Sequence, residues 1–176
     1  EKKLSKYTES KFTIATSSGT SALHLVLEYF GLSSDDEVLL PSLTYVATAN
    51  AVVYCGSTPN FLDIDKETLG ICPNKLENYL KSTTKKIGSY TYNKKTKKKI
   101  KALIAVHLYG FPCRIKEIKK ICEKYNIILI EDAAHALGAK YKGKPIGGLS
   151  DFSTFSFQAI KHFTTGDGGM LTIKNK

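Results

Sequence analysis

Lys161 is placed where a lysine can act as a nucleophile and not only as a solvated charge. It follows an apolar, β-prone run over 152–157 and precedes the turn Thr164-Thr165-Gly166-Asp167-Gly168-Gly169. A lysine between a buried strand and a glycine-rich loop is partly stripped of water, and burial disfavours its ammonium form. The freed amine can attack a carbonyl carbon. Two other places hold chemistry-bearing groups. Ser17-Ser18-Gly19-Thr20-Ser21 opens a helical segment, where free N–H groups and hydroxyls make either a helix cap or an anion site. Asp132 ends the apolar run 127–130 and either caps Ala133-Ala134-His135 or faces a ligand.

The elements that must position these groups alternate. Helices are predicted over 20–30, 45–55, 73–80 and 115–125, with stops at Gly31 and Gly56 and a proline at the first turn, Pro73. Strands are predicted over 37–40, 58–64, 102–107, 127–130, 154–157 and 170–173. The stretch 81–101 reads as a loop or a two-stranded excursion about Asn93-Lys94-Lys95. This alternation describes an α/β domain with a mostly parallel sheet, and ligands of such sheets bind beyond the carboxyl ends of the strands. There the three sites would meet. A phosphate cradle, an acid able to pair with a ring nitrogen and a nucleophilic lysine are the parts of a pyridoxal-phosphate site.

Composition narrows the classes. A chain of 176 residues fits one domain. It contains neither the ~20-residue apolar run of a membrane span nor a basic-then-apolar leader. Cys55, Cys72, Cys113 and Cys122 show no C-x-x-C pair and no histidine at zinc-finger spacing. They read as core residues, predict no metal site and suggest a reducing compartment, the cytoplasm. The net charge of +10 invites a nucleic-acid reading, and much of it lies in 94–101 near Tyr90 and Tyr92. Arg114 is the only arginine, however, and arginine is the residue suited to bidentate phosphate and base contacts. The run reads as a solvated hairpin, with no nucleic-acid partner.

Five stretches, in order, resemble the DegT/DnrJ-type sugar aminotransferases: Ser18-Gly19-Thr20-Ser21-Ala22-Leu23, Pro41-Ser42-Leu43-Thr44-Tyr45-Val46-Ala47-Thr48-Ala49-Asn50, Val106-His107-Leu108-Tyr109-Gly110, Glu131-Asp132-Ala133-Ala134-His135 and Ser156-Phe157-Gln158-Ala159-Ile160-Lys161. The resemblance implies the aspartate-aminotransferase-like fold, fold type I, in three α/β/α layers. Residues 1–176 would be its pyridoxal-phosphate-binding large domain, incomplete at both ends and without the small C-terminal domain. It implies Lys161 as Schiff-base lysine and Asp132 as partner of the pyridine nitrogen. Thr20, the backbone of Ser21, and Ser156 would hold the phosphate, Tyr45 would stack on the ring, and His135 would lie near its phenolic oxygen. His107 and Asn50 fall in shared motifs and read as core residues.

The activity implied is amino transfer from an amino acid, glutamate in most of the family, to a nucleotide-linked keto-sugar. The family works as a homodimer whose sites borrow residues from the neighbouring subunit. Related dehydratases carry histidine in place of the lysine, and Lys161 argues against that reaction. Family members have about twice this length, so the alternative is a truncated remnant that binds cofactor without transferring nitrogen.

Overall fold

Val38, Leu39 and Leu40 are all fully buried, as are Ala102 to Ala105. Strands apolar on both faces need a layer of helices on each side. The computed structural model describes residues 1–174 and supplies those layers. In chain order the elements are α1 (Lys2–Thr8), β1 (Phe12–Thr16), α2 (Gly19–Tyr29), β2 (Asp36–Pro41), α3 (Val46–Tyr54), β3 (Thr58–Leu62), α4 (Pro73–Thr83), β4 (Thr84–Ile87), β5 (Tyr90–Asn93) and β6 (Lys99–Val106). Then follow α5 (Ile115–Tyr125), β7 (Ile128–Asp132), the short ribbon β8 (Lys140–Tyr141) and β9 (Lys144–Pro145), β10 (Phe152–Ser156) and β11 (Gly169–Ile173). No helix among the described residues is long and apolar enough to cross a membrane.

The main sheet runs β1-β11-β10-β7-β6-β2-β3. From β10 to β3 every pairing is parallel, whereas β11 is antiparallel to both β10 and β1. Strand β1 therefore points the same way as the parallel set, and its carboxyl end lies on the same edge. Side chains alternate between the two helical layers. Leu39 and Leu103 pack with α4 and α5 through Leu76, Leu80, Ile115 and Ile118. Val38, Leu40, Ala102 and Ile104 pack with α2 and α3 through Leu23, Leu27, Ala51 and Val52. This is the three-layer arrangement expected.

Three regions differ from the sequence reading, one of them the short β8–β9 ribbon, which it did not contain. Residues 1–16, left without an element, form α1 and β1. β1 is hard to read because its burial inverts its polarity: Thr13 is buried while Phe12 and Ile14 are 41% and 39% exposed. The excursion after α4 is a hairpin of β4 on β5 with its tight turn at Gly88-Ser89. A second turn at Asn93 brings Tyr92 opposite Lys99. Asn93 docks this hairpin by donating to the buried Glu37 carboxylate over 3.0 Å, and Asn60 donates to the same oxygen over 2.9 Å.

Candidate active site

The register of the parallel strands sets Val106, Asp132 and Thr154 level across β6, β7 and β10. Just past that line lies a cavity of about 260 Å³. Its walls come from the start of α2, the start of α3 and the loops after β6, β7 and β10. Thr20, Tyr45, Asp132, His135, Ser156 and Lys161 all line it. These residues span almost the length of the sequence, and the parallel topology brings them together.

The anion-favouring corner depends on two glycines. A Cβ on Gly19 would lie 2.9 Å from Ser156 Cβ, so the first turn of α2 rests directly on the end of β10. A Cβ on Gly169 would lie 2.2 Å from the Ser18 carbonyl carbon, so no side chain fits where β11 begins. Ser18 caps α2 by accepting from the Ser21 amide over 3.0 Å. The first turn of α2 carries no acidic residue, leaving the positive end of the helix dipole uncompensated. Ser21 is the one predicted site residue outside the cavity lining. Its amide is engaged by Ser18, and its hydroxyl bonds to those of Ser17 and Ser18 at 2.9 Å.

Asp132 is 7% exposed, and both its oxygens have partners. Thr48 Oγ1 donates to Oδ2 over 2.8 Å, and the Ala134 amide donates to Oδ1 over 3.2 Å. Thr48 was missed in the sequence, although it lies in the same motif as Tyr45. The signal was there: Thr44 and Thr48 are one helical turn apart and share a 2.9 Å hydroxyl bond, a polar face on an otherwise apolar helix.

Lys161 reaches back over this floor. Its Nζ is 2.7 Å from His135 Nε2 and 5.8 Å from the centre of the Tyr45 ring. Loss of solvent lowers the lysine's pKa from its ordinary value, with the Asp132 charge partly opposing. Loss of solvent also lowers the pKa of His135, and the adjacent Lys161 adds to that. A neutral imidazole accepting from the lysine fits both directions. The other face of His135 lies parallel to Tyr109, with centroids 6.2 Å apart and planes within 2°.

Beside Asp132 in the sequence, Glu131 points the other way and belongs to the scaffold. It is fully buried and bonds to His107 Nε2 at 2.7 Å, to the Ser150 amide and hydroxyl, and to Ser153. Burial opposes its ionisation, but the His107 and Ser150 bonds prevail and hold its pKa below the ordinary value. The Cys113 amide donates to His107 Nδ1 over 3.1 Å. That nitrogen is therefore an acceptor, and Nε2–H is left to donate to the carboxylate. His107 is 1% exposed and forms part of the cavity's floor. Asn50 is half-buried on α3 and does not line the cavity.

A parallel α/β sheet with its cleft at the carboxyl edge and a lysine beyond the penultimate strand is the large-domain architecture of fold type I aminotransferases. The chain belongs to the DegT/DnrJ/EryC1/StrS aminotransferase family, whose sequence model matches residues 1–176. GDP-perosamine synthase of Caulobacter vibrioides is 43% identical over 175 residues, covering 99% of this chain and 43% of that protein. Among solved structures, a DegT/DnrJ/EryC1/StrS aminotransferase from Brucella abortus superposes with a TM-score of 0.90 at 31% identity, covering 99% of this chain and 45% of that one. A Streptococcus pneumoniae protein assigned as a sugar aminotransferase, solved in its PLP form, gives 0.83 at 32% identity, covering 100% and 45%. The chain thus spans less than half the length of the curated relatives it matches.

Proposed function

We propose that residues 1–176 are the cofactor-binding large domain of an aminotransferase that uses pyridoxal 5'-phosphate. The full enzyme would move an amino group from an amino acid, glutamate in our reading, to a nucleotide-linked keto-sugar. One observation carries this: the Lys161 amine, 2.7 Å from His135, shares a cleft with the anchored carboxylate of Asp132.

The residues present fit the cofactor. Asp132 offers a carboxylate held by two donors, and Gly19 and Gly169 let the first turn of α2 seat directly on the ends of β10 and β11. Thr20 and Ser156 supply hydroxyls beside the free end of α2. When bound, the cofactor supplies an electron sink for the exchange of an amine and a carbonyl. Asp132 would hold positive charge on the ring nitrogen through its own fixed negative charge. Thr20, Ser156 and the α2 start would bind the phosphate, and Tyr45 would cover one ring face. Lys161, its ammonium form disfavoured, would hold the cofactor and then move a proton at the reacting carbon. His135, the acceptor for Lys161, would orient the amine.

The substrate class rests on the likeness to GDP-perosamine synthase. Tyr45, Tyr109 and Ile160 are 65%, 73% and 80% exposed around the cleft, which supports closure by a second subunit in a homodimer. The four free cysteines support a reducing, cytoplasmic setting.

The test is borohydride reduction of the chain incubated with pyridoxal 5'-phosphate, followed by peptide mass mapping. The cofactor mass is expected on Lys161 and absent in Lys161→Ala. Attachment at another lysine of the native protein overturns the reading. In a longer form covering the full family length, Lys161→Ala is expected to lower amino transfer by about 10²–10⁴-fold.

A further inference from the structure

Outside the cleft, three side chains of metal-ligand type converge between α2 and α3. His24 and Glu28 are four residues apart on α2, so they share one face of the helix. Cys55 is the residue that ends α3. The imidazole nitrogen, a carboxylate oxygen and the thiol sulfur all lie within 4.8 Å of one another. His24 Nε2 is buried and has no hydrogen-bond partner among the described residues. Its distance of 3.3 Å from Glu28 Oε1 is close without forming a directed bond. A ring nitrogen left in this state is unfavourable, and a bound cation would satisfy it. The Tyr54 ring packs edge-on against His24, centroids 5.8 Å apart at 68°, and fixes the plane of the imidazole.

The spacing suits a small cation. Two ligands held at about 2.0–2.1 Å with tetrahedral angles stand about 3.3–3.4 Å apart. The nitrogen and oxygen already have that separation, 3.3 Å. The thiol makes a 3.4 Å bond to the Ala51 carbonyl, a weak tie for sulfur to give up. Burial and the facing Glu28 carboxylate push its pKa up to about 12, so the cation has to displace a held proton. We propose that His24, Glu28 and Cys55 bind one divalent cation of the zinc type, with water at the fourth position. Imidazole, carboxylate and thiolate together are a set that zinc accepts, whereas magnesium and calcium take oxygen. Coordination releases the thiol proton to solvent. The half-exposed Glu28 leaves a path for the ion and the water. The cysteine-spacing rule misses this site because its ligands come from two helices and not from one short motif. The ion would tie together the two helices whose first turns form walls of the cleft, and this holds whatever reaction the cleft performs.

Cobalt(II), as a spectroscopic stand-in for zinc, tests the site on the chelator-stripped chain. The expected result is one equivalent bound, with visible bands of a tetrahedral ion and a near-ultraviolet thiolate charge-transfer band. Cys55→Ser is expected to lose the thiolate band, and His24→Gln to weaken binding about 100-fold. Cys72→Ser, the control on the one cysteine that is not buried, should leave the spectrum unchanged. Zinc should raise the melting temperature of the parent chain and not that of Cys55→Ser, with metal-free melts showing that each variant folds. A thiolate band that persists in Cys55→Ser, or equal zinc affinity in parent and His24→Gln, overturns the proposal.

Discussion

Two lysine-bearing regions of this molecule show how differently the same side chain behaves. In the hairpin of β4 and β5 and the turn after it, the ammonium groups stay in water or meet protein oxygens. Lys94 donates to the Ser82 carbonyl, Lys98 to Thr58, and Lys101 to the Gly31 carbonyl. Lys99 and Lys101 also approach the buried Asp36 carboxylate at 3.8 and 3.5 Å. All of these partners are oxygen acceptors. In the loop after β10, Lys161 has lost solvent, and its nearest partner is an imidazole nitrogen. Charge is tolerated in the first region and disfavoured in the second. The difference arises from the neighbours and not from lysine itself.

The largest expected effect breaks the comparison at Lys161. Lys161→Arg keeps the positive charge and removes the transferable proton. Amino transfer by a full-length form should fall by about 10²–10⁴-fold, while Lys95→Arg leaves it unchanged. Next comes the hairpin's anchor. Glu37→Leu removes the carboxylate that accepts from Asn60, Asn93 and Thr96 and leaves the two amides only the Tyr79 hydroxyl, so the chain should lose about 1–3 kcal/mol in urea unfolding. An unaltered midpoint would show that the hairpin docks by packing alone.

A pH measurement sharpens the contrast. The folded pKa of Lys161 lies below its unfolded value. Between those two values the unfolded chain holds more protons, so stability from this group rises with pH across that window. Below the window the penalty is fully present. Competitive acetylation over a pH series should therefore label Lys161 half-maximally below the ordinary lysine value, and added cofactor should protect Lys161. The smallest effect belongs to the exposed run. Lys94→Ala and Lys95→Ala should each change stability by no more than about 0.5 kcal/mol, and duplex DNA at low salt should bind the parent no better than an unrelated basic protein.

Most of the architecture was legible because the central strands β2, β6 and β7 each carry an unbroken apolar run and most helices carry a terminator or cap at one end. Gly31 and Gly56, with φ of 60° and 71°, take a left-handed conformation that other residues adopt at a cost. β1 was not legible, since an edge strand that buries Thr13 and exposes Phe12 and Ile14 violates the pattern that identifies strands. At the site, residue type singled out Lys161, Asp132 and the hydroxyl-rich stretch holding Thr20, and the family resemblance added Tyr45 and His135 and gave Thr20 and Ser156 their phosphate role. Thr48 escaped because its importance lies in a bond to a residue on another element, Asp132. Ser21 shows the converse: its place in a motif suggested a free amide, and the Ser18 side chain already occupies it.

The sequence by itself determined the order of the central strands and helices, the family, and the residue types available for chemistry. These depend on local periodicity, capping and composition, which operate over a few residues. Only the tertiary structure decided which of those residues share a cleft, which way the adjacent acids Glu131 and Asp132 point, and that Lys161 sits in a medium that disfavours its charge. Those properties depend on strand register and on burial by distant segments, and neither is a property of any short stretch of chain. The same holds for His24, Glu28 and Cys55, which share no motif and meet only when α2 packs on α3.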